Sequence, residues 1–407
     1  MPFFEAAVDP PPIGSLIPKC GACGLKNGCE SPVMPPTGEG RSGVLIVAEA
    51  PGEEEDQRNK QLVGPAGLYF REILDEIGVD LDRDCWKTNA IVCRPPENKK
   101  PTKNQIDYCR PNLTKTLKEH KPTTVILLGD AAIRSYMAPL CKSTINTAVN
   151  QWVGWQIPHT KSNTWICPTY HPSHLLRGKS DNDKEYEVTR LWFKRHLKAA
   201  FRLASTGRPY DDVFDYEDAI TSTCEPEYAA SRLKHYIREG GCVSFDYETN
   251  RLKPDADDAE IHSCAVCWNG KETVAFPWTQ ETASVMKEFV QSDLSKIGAN
   301  CKFEDRWSRR ILGVPVNNWV WDCMLSAHHL DCRSGITSVE FQALVRLGVE
   351  SWSDHISPFL KDADEDGINQ IKKIPTNALL KYNGLDALYE YLIAVNQQKE
   401  MVHGREF

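Results

Sequence analysis

Residues Gly43–Gly52 read GVLIVAEAPG, five apolar positions without a break and then a turn written by Pro51 and Gly52. An unbroken apolar run bounded by turn residues predicts a strand buried on both faces, as inside a parallel sheet. The flanking sequence agrees. AGLYFREILDEIG (Ala66–Gly78) carries apolar residues at helical spacing and stops at a glycine. CWKTNAIV (Cys85–Val92) is strand-like, and NQIDYCRPNLTKTLKEH (Asn104–His120) reads as one helix or two short ones, with Pro111 awkward inside it. TTVILLGDAAIRSYM (Thr123–Met137) reads as strand, tight turn and helix. NTWICPTYHPS (Asn163–Ser173) is a strand and a loop, and EVTRLWFKRHLKAAFRLA (Glu187–Ala204) is a closing helix. This alternation predicts an α/β unit of three αβα layers around a central parallel sheet. Its working loops should lie at the carboxyl ends of strands, where EAPG, the loop after TNAIV and HPS all fall.

Further along, residues 204–222 are polar and acidic with little periodicity, and read as a linker. Then come a helix (EPEYAASRLKHYIREGG, Glu225–Gly241) and three strand patterns: CVSFDYET (Cys242–Thr249), EIHSCAVCWNG (Glu260–Gly270) and KETVAFPW (Lys271–Trp278). Helices follow to the end. Domains are therefore expected at 1–203 and 223–407, which suits 407 residues. A Pro-rich tail (Pro10, Pro11, Pro12) opens the chain.

Composition excludes several classes. Hydrophobic content of 41% and charged content of 26% are those of a globular protein. No apolar run approaches the ~18–20 residues of a membrane helix, and the N-terminus lacks the basic and apolar regions of a secretory signal. Fifteen cysteines in 407 residues are too sparse for a disulfide scaffold, so reduced thiols in a cytoplasmic setting are expected. The net charge of −8 is uneven. Residues 1–208 hold 28 Lys+Arg against 23 Asp+Glu, and residues 209–407 hold 20 against 33. A basic first half suits phosphates. An acidic second half suits either carboxylates gathered around metal ions or a solvated surface.

Two constellations carry chemistry. Cys20 and Cys23 form a CxxC, with Cys93 and Cys109 further on and Cys29 as a spare. Four thiolates hold a zinc ion or an iron–sulfur cluster, and the spacing alone leaves plain structural thiols open as well. Cys264 and Cys267 form a second CxxC inside a strand pattern and are expected in the core. In the second half, alternation along CVSFDYET puts Asp246 and Glu248 on one face, a costly pairing unless a cation neutralises it. Tyr382 and Asp386, at i and i+4, share a helix face.

From Cys20 to about Arg202 the chain resembles the family 4, iron–sulfur uracil-DNA glycosylases. The anchors, in order, are CxxC, EAPG (Glu49–Gly52) with Glu55-Asp56, VGPAG (Val63–Gly67), TNAIVCRPPENKKPT (Thr88–Thr102), Cys109, LLGDAA (Leu127–Ala132) and TYHPSHLLR (Thr169–Arg177). The resemblance implies a [4Fe–4S] cluster on Cys20, Cys23, Cys93 and Cys109, and catalysis by Glu49, Asn89 and His171. Asn89 would read the edge of uracil in a flipped nucleotide, and His171 would donate a hydrogen bond to the departing base. Pro51, Gly52, Leu62 and Ser173 would shape the base pocket, Leu175 or Leu176 would wedge the duplex, and Arg177 would hold phosphate. The chain departs from the family at Leu62, which stands where a stacking aromatic is usual, and at Ala48. A non-catalytic DNA- or partner-binding module is the alternative reading of this half.

From about Cys224 to Gln398 three ordered motifs resemble the 3′–5′ proofreading exonuclease of family A DNA polymerases: Asp246-Tyr247-Glu248, Asn300-Cys301-Lys302-Phe303-Glu304 and Tyr382-Asn383-Gly384-Leu385-Asp386. The resemblance implies an RNase H-like mixed-sheet domain. It also implies two Mg²⁺ (or Mn²⁺) ions held by Asp246, Glu248, Glu304 and Asp386, with Tyr382 orienting the water. Glu304 stands where Asp is usual, Asp305 is its neighbour, and Asp322 is expected to be structural. Some bacteriophage family A polymerases combine both modules. The chain then reads as a DNA-processing protein of the cytoplasm, or of the host cytoplasm if viral. It would act on single-stranded or frayed 3′ ends and on uracil-containing DNA, alone or beside a DNA polymerase subunit as a stand-alone, split or truncated chain.

Overall fold

The computed structural model describes residues 17–141, 148–178, 183–212, 215–360 and 367–405, so the Pro10–Pro12 tail lies outside the described residues. The chain divides into two compact units, 1–213 with 344–349 and 406–407, and 214–343 with 350–405.

In the first unit, β1 (Val44–Ala48), β2 (Cys85–Asn89), β3 (Thr124–Leu128), β4 (Ile157–His159) and β5 (Thr164–Thr169) form one sheet in the order β2-β1-β3-β5-β4. The first four strands in that order run parallel. All five residues of β1 are buried, as the unbroken apolar run requires. Val44, Ile46 and Ala48 pack with Phe70, Ile73 and Leu74 of the Pro65–Asp75 helix and with Phe193 and Leu197 of the Asp183–Thr206 helix. The sheet is not wholly parallel. The edge strand β4 pairs antiparallel with β5, and its three residues, one of them Pro158, were too short a pattern to read. Lys103–His120 is one helix despite Pro111. Thr102 caps it in a reciprocal box with Gln105, and Pro111 itself is buried.

The second unit holds β6 (Ile220–Ser222), β7 (Cys242–Thr249), β8 (Ile261–Trp268), β9 (Glu272–Pro277), β10 (Ser295–Gly298) and β11 (Trp319–Asp322), in the order β11-β10-β7-β8-β9-β6. The sheet is mixed: β7-β8-β9 are antiparallel, while β10, β11 and β6 each run parallel to their neighbour. Alternation along β7 then decides everything about the site. Val243, Phe245 and Tyr247 enter a core with Phe289 and Trp307. Ser244, Asp246 and Glu248 therefore face the opposite way, toward the Thr376–His403 helix, where Ser244 Oγ donates to the Ala387 carbonyl at 2.5 Å. Gly384 lets that helix approach β6, since a Cβ there would lie 2.5 Å from Ile220 Cγ2.

The expected linker is only partly one. The Asp183–Thr206 helix runs into it, Tyr216–Ala219 forms a 3₁₀ turn, and β6 joins the second sheet as an edge strand. Three half-exposed residues leave no periodic signal. No described helix is long and apolar enough to cross a membrane.

Candidate active sites

In the first unit four parallel strands end on the same sheet edge, and each brings one residue to it. Glu49 follows β1, Asn89 ends β2, Gly129 follows β3 and His171 follows β5. Glu49, Asn89 and His171 border a cleft of about 490 Å³ that also takes in Pro51, Gly52, Leu62, Ser173 and Arg177, so every residue expected at the base pocket comes together there. Gly129 has φ +80°, and a Cβ on it would meet His171 Cβ at 3.0 Å. That contact explains the glycine of LLGD.

His171 is fixed by its successor. Ser173 N–H donates to His171 Nδ1 at 3.2 Å, and the Ser173 hydroxyl lies 2.8 Å from the same nitrogen. A nitrogen that accepts from an amide carries no proton, so the imidazole hydrogen sits on Nε2. Burial, helped by the Arg177 cation, pushes the His171 pKa down to about 4, so the ring is neutral near pH 7. Burial also raises the Glu49 carboxyl above its usual range, against the pull of Lys100. Asn89 is 3% exposed.

One expectation fails here and another narrows. The HPS stretch is no loop beyond its first residue, because Pro172–Gly178 is a helix. Leu175 on it is 1% exposed within the core and cannot wedge DNA, whereas Leu176 is partly exposed. Leu62 is also mostly core, 6% exposed and clustered with Tyr69 and Phe70, with its backbone held at φ 55°.

Cys20, Cys23, Cys93 and Cys109 line one small cavity. Cys20–Cys23 is a single helical turn closed by left-handed Gly24, and Lys19 N–H donates to the Tyr108 carbonyl on the helix that carries Cys109. Val33 N–H donates to Cys93 Sγ at 3.2 Å, and Val92 N–H and Asn112 Nδ2 each donate to Cys109 Sγ at 3.4 Å. Donors aimed at sulfur suit thiolates better than thiols. Burial pushes the Cys93 thiol up to about 12 and raises Cys109, so a cation is what would make them thiolates. Cys29 sits beside Cys93 in hydrogen-bond contact. The second CxxC behaves as expected, with Cys264 and Cys267 both fully buried in strand β8.

In the second unit Asp246, Glu248 and Asp386 place one carboxylate oxygen each within 4.8 Å of one another. Among the described residues this is the group of three acidic, cysteine or histidine ligands that closes so tightly. Asp246 and Glu248 bring carboxylate oxygens within 4.8 Å of one another, a like-charge pairing that a shared proton or a cation relieves. Burial pushes Asp246 up to about 6. Burial and then like charge hold Glu248 and Asp386 well above the usual carboxylate range. Tyr382 stands one turn from Asp386 on the same helix, within electrostatic reach of it.

Glu304 lies outside the tight trio but faces it. It is 2% exposed, its nearest like charge is Asp246, and its Oε2 has no hydrogen-bond partner among the described residues. Asp305 points elsewhere, accepting from Val316 N–H and pairing with Arg309, which settles which neighbour faces the site. Asp322 is structural, as expected: its two oxygens accept from the amides of Asn300, Cys301, Met324 and Leu325. Three residues were not anticipated. Asn383 Nδ2 donates to Asp246 Oδ2 at 2.7 Å, Trp352 Nε1 donates to Asp386 Oδ1 at 3.0 Å, and Glu390 is buried one turn beyond Asp386. Asn383 and Glu390 sit on the Tyr382–Asp386 helix at spacings that could have flagged them, whereas nothing local marks Trp352.

Comparison with known proteins follows the same division. Residues 35–195 match the uracil DNA glycosylase superfamily model, and residues 218–401 match a 3′–5′ exonuclease model. The type-4 uracil-DNA glycosylase of Pyrobaculum aerophilum is 33% identical over 162 residues, which cover 40% of this chain and 82% of that protein. A DNA polymerase of Bacillus phage SP01 is 24% identical over 329 residues, 73% of this chain but only 33% of the polymerase. Escherichia coli RNase D, a solved structure, matches at 12% identity and a TM-score of 0.36, covering 45% of each chain. The amino-terminal half of the chain thus belongs to the type-4 uracil-DNA glycosylase family, and its carboxy-terminal half is a 3′–5′ exonuclease domain of the family A DNA polymerase type.

Proposed function

We propose that this protein trims DNA from 3′ ends in its second unit and excises uracil from DNA in its first. The observation that carries the first activity is the Asp246–Glu248–Asp386 group, one buried and two half-buried carboxylates whose mutual repulsion a pair of Mg²⁺ or Mn²⁺ ions would relieve. The fit rests on the donor set: hard oxygens, clustered, with an unsatisfied Glu304 oxygen beside them. When bound, such ions supply Lewis-acid stabilisation of a phosphodiester in hydrolysis and a more acidic water. Asp246, Glu248, Glu304 and Asp386 would hold them. Asn383 and Trp352 keep two of these carboxylates in fixed rotamers. Tyr382, one turn from Asp386, would orient the attacking water with its hydroxyl.

In the first unit the flipped base would enter the cleft with its edge against the Asn89 amide, one donor and one acceptor. His171, neutral and protonated on Nε2, would donate to the negative charge growing on the base as the glycosidic bond breaks. Glu49 would position the water or steady the sugar, and Arg177 would take a flanking phosphate. Cys20, Cys23, Cys93 and Cys109 would hold a [4Fe–4S] cluster. The cluster's service is to tie the Cys20–Cys23 turn, the segment after β2 and the Lys103–His120 helix into one wall of the fold.

Fifteen free cysteines favour a reducing cytoplasm. The phage polymerase match, too long for either half alone, favours work in replication beside a DNA polymerase. One observation favours a second reading, in which the first unit only binds DNA or a partner: buried Leu62 gives a base little of the stacking worth ~1–3 kcal/mol on an aromatic.

The test uses uracil-containing single-stranded DNA in excess EDTA, which silences the exonuclease. Alkali-labile cuts that vanish in His171→Ala establish excision. Their absence leaves the binding-module reading. Adding Mg²⁺ should restore 3′ shortening of a 5′-labelled strand in the wild type and not in Asp246→Asn.

A further inference from the structure

Glu390 has no part in the chemistry above, yet it is 2% exposed and lies within electrostatic reach of Asp246, Glu304 and Asp386. It stands four residues after Asp386 on the Thr376–His403 helix, on the same face. Its Oε1 accepts from Ala299 N–H at 3.0 Å. That amide begins the turn between β10 and the Lys302–Ile311 helix, the turn that delivers Glu304. Its Oε2 has no partner among the described residues, and neither has Glu304 Oε2. Buried carboxylate oxygens without a donor are rare, because burial strips their water and returns nothing. Two of them beside the same acidic trio ask for one shared cation.

We propose that Glu390 is a fifth carboxylate of the metal centre, with its free oxygen completing the ligand set of the ion that Asp246 and Glu304 hold. This rests on the two-ion reading of the exonuclease site. The geometry gives each oxygen its own task. Oε1 fixes the side chain to the turn, and Oε2 serves the ion. A second ion held by Asp246 and Glu304 alone would have two protein carboxylates, one of them shared with its neighbour. Glu390 would add a third, from the helix that already carries Asp386.

The test is a titration of the full-length protein with Mn²⁺, read by calorimetry and by the loss of the free-ion paramagnetic resonance signal. Wild type should take up two ions. Glu390→Gln keeps an acceptor for Ala299 N–H, so the turn should stay in place while the weaker ion loses at least tenfold in affinity. In EDTA this variant should melt no lower than wild type, since it removes a buried like charge. Asp322→Asn, at the end of β11 with its oxygens accepting from backbone amides of that turn and of the next helix, should weaken Mn²⁺ binding less than Glu390→Gln does. Two ions bound by Glu390→Gln with wild-type affinity would overturn the proposal, as would an equal loss in Asp322→Asn. Should the glutamine variant not fold, Glu390→Asp withdraws the carboxylate by one methylene and should weaken the same ion. Unchanged affinity there overturns the proposal too. Wild type binding no Mn²⁺ would instead sink the two-ion reading itself, a distinguishable result.

Discussion

Asn383 Nδ2 and Asp246 Oδ2 are joined by a 2.7 Å hydrogen bond, and Asn383 Oδ1 accepts from Ser263 Oγ at 3.0 Å. The amide therefore cannot flip without losing both bonds, and Asp246 is held in one rotamer. Asn383→Ala should cost ~10–100-fold in Mn²⁺ affinity or in exonuclease rate, as loss of an outer partner does. Steady-state digestion of a labelled strand across a Mn²⁺ series checks this. A loss that saturating Mn²⁺ cures points to affinity, and one it does not cure points to geometry.

The carboxylate cluster should make the metal-free protein sensitive to alkali. Asp246 has its folded pKa raised to about 6, and those of Glu248, Glu304 and Asp386 lie well above the usual range. The folded state then binds more protons than the unfolded one, so stability falls as pH rises from ~4 through the folded values. In EDTA the melting temperature should drop between pH 5 and pH 8. Mg²⁺ at about 100 times its dissociation constant should return ~2.7 kcal/mol. Asp386→Asn should melt higher than wild type in EDTA and lose the Mg²⁺ response. A lower melting temperature would mean the site is not under charge strain.

His171 behaves with the opposite sign. Its folded pKa is pushed down to about 4, below the unfolded ~6.5, so the unfolded chain takes up the proton first. Its contribution to stability is intact above pH 6.5 and is lost as pH falls toward 4. Base release in EDTA should show no inflection near pH 6.5. Nuclear magnetic resonance of the imidazole should give a single titration near 4, with Nδ1 unprotonated above it. An inflection near 6.5 that disappears in His171→Ala would contradict the neutral donor.

The four-cysteine cavity should yield a brown protein with four irons per chain. Cys109→Ser should bleach it and lower the melting temperature, because Cys109 anchors the Lys103–His120 helix to the wall. Iron analysis and absorbance near ~400 nm check this. A colourless protein holding one zinc would overturn the cluster.

Leu62→Phe, which restores the aromatic of related glycosylases, should not restore stacking. Leu62 is packed into the core with Tyr69 and Phe70, so a larger ring overpacks it at ~1–3 kcal/mol. The expected outcome is a lower melting temperature with no gain in base release.

Much of this was legible residue by residue. The buried run at Val44–Ala48, the alternation that sets Asp246 and Glu248 on one face, and the Tyr382–Asp386 spacing are local periodicities, and local geometry obeys them. Cys264 and Cys267 were readable as core for the same reason. What failed was signal too short or too distant. β4 and β6 have three residues each, Leu175 points inward because its helix packs against the Pro65–Asp75 and Asp183–Thr206 helices, and Leu62 belongs to a core that draws on residues far along the chain.

Residue type and periods of 2 and 3.6 were enough to order most of the strands and helices, and the motifs carried the resemblances from which the two chemistries and their candidate ligands were read. Folding in three dimensions turned Asp305 away while Glu304 faces the trio, and brought Glu390 into the acidic cluster. Both depend on which backbone amide or carboxylate from elsewhere in the chain arrives beside a side chain, and that is fixed by packing. The tautomer of His171 is a local matter, set two residues on by the turn into the Pro172–Gly178 helix.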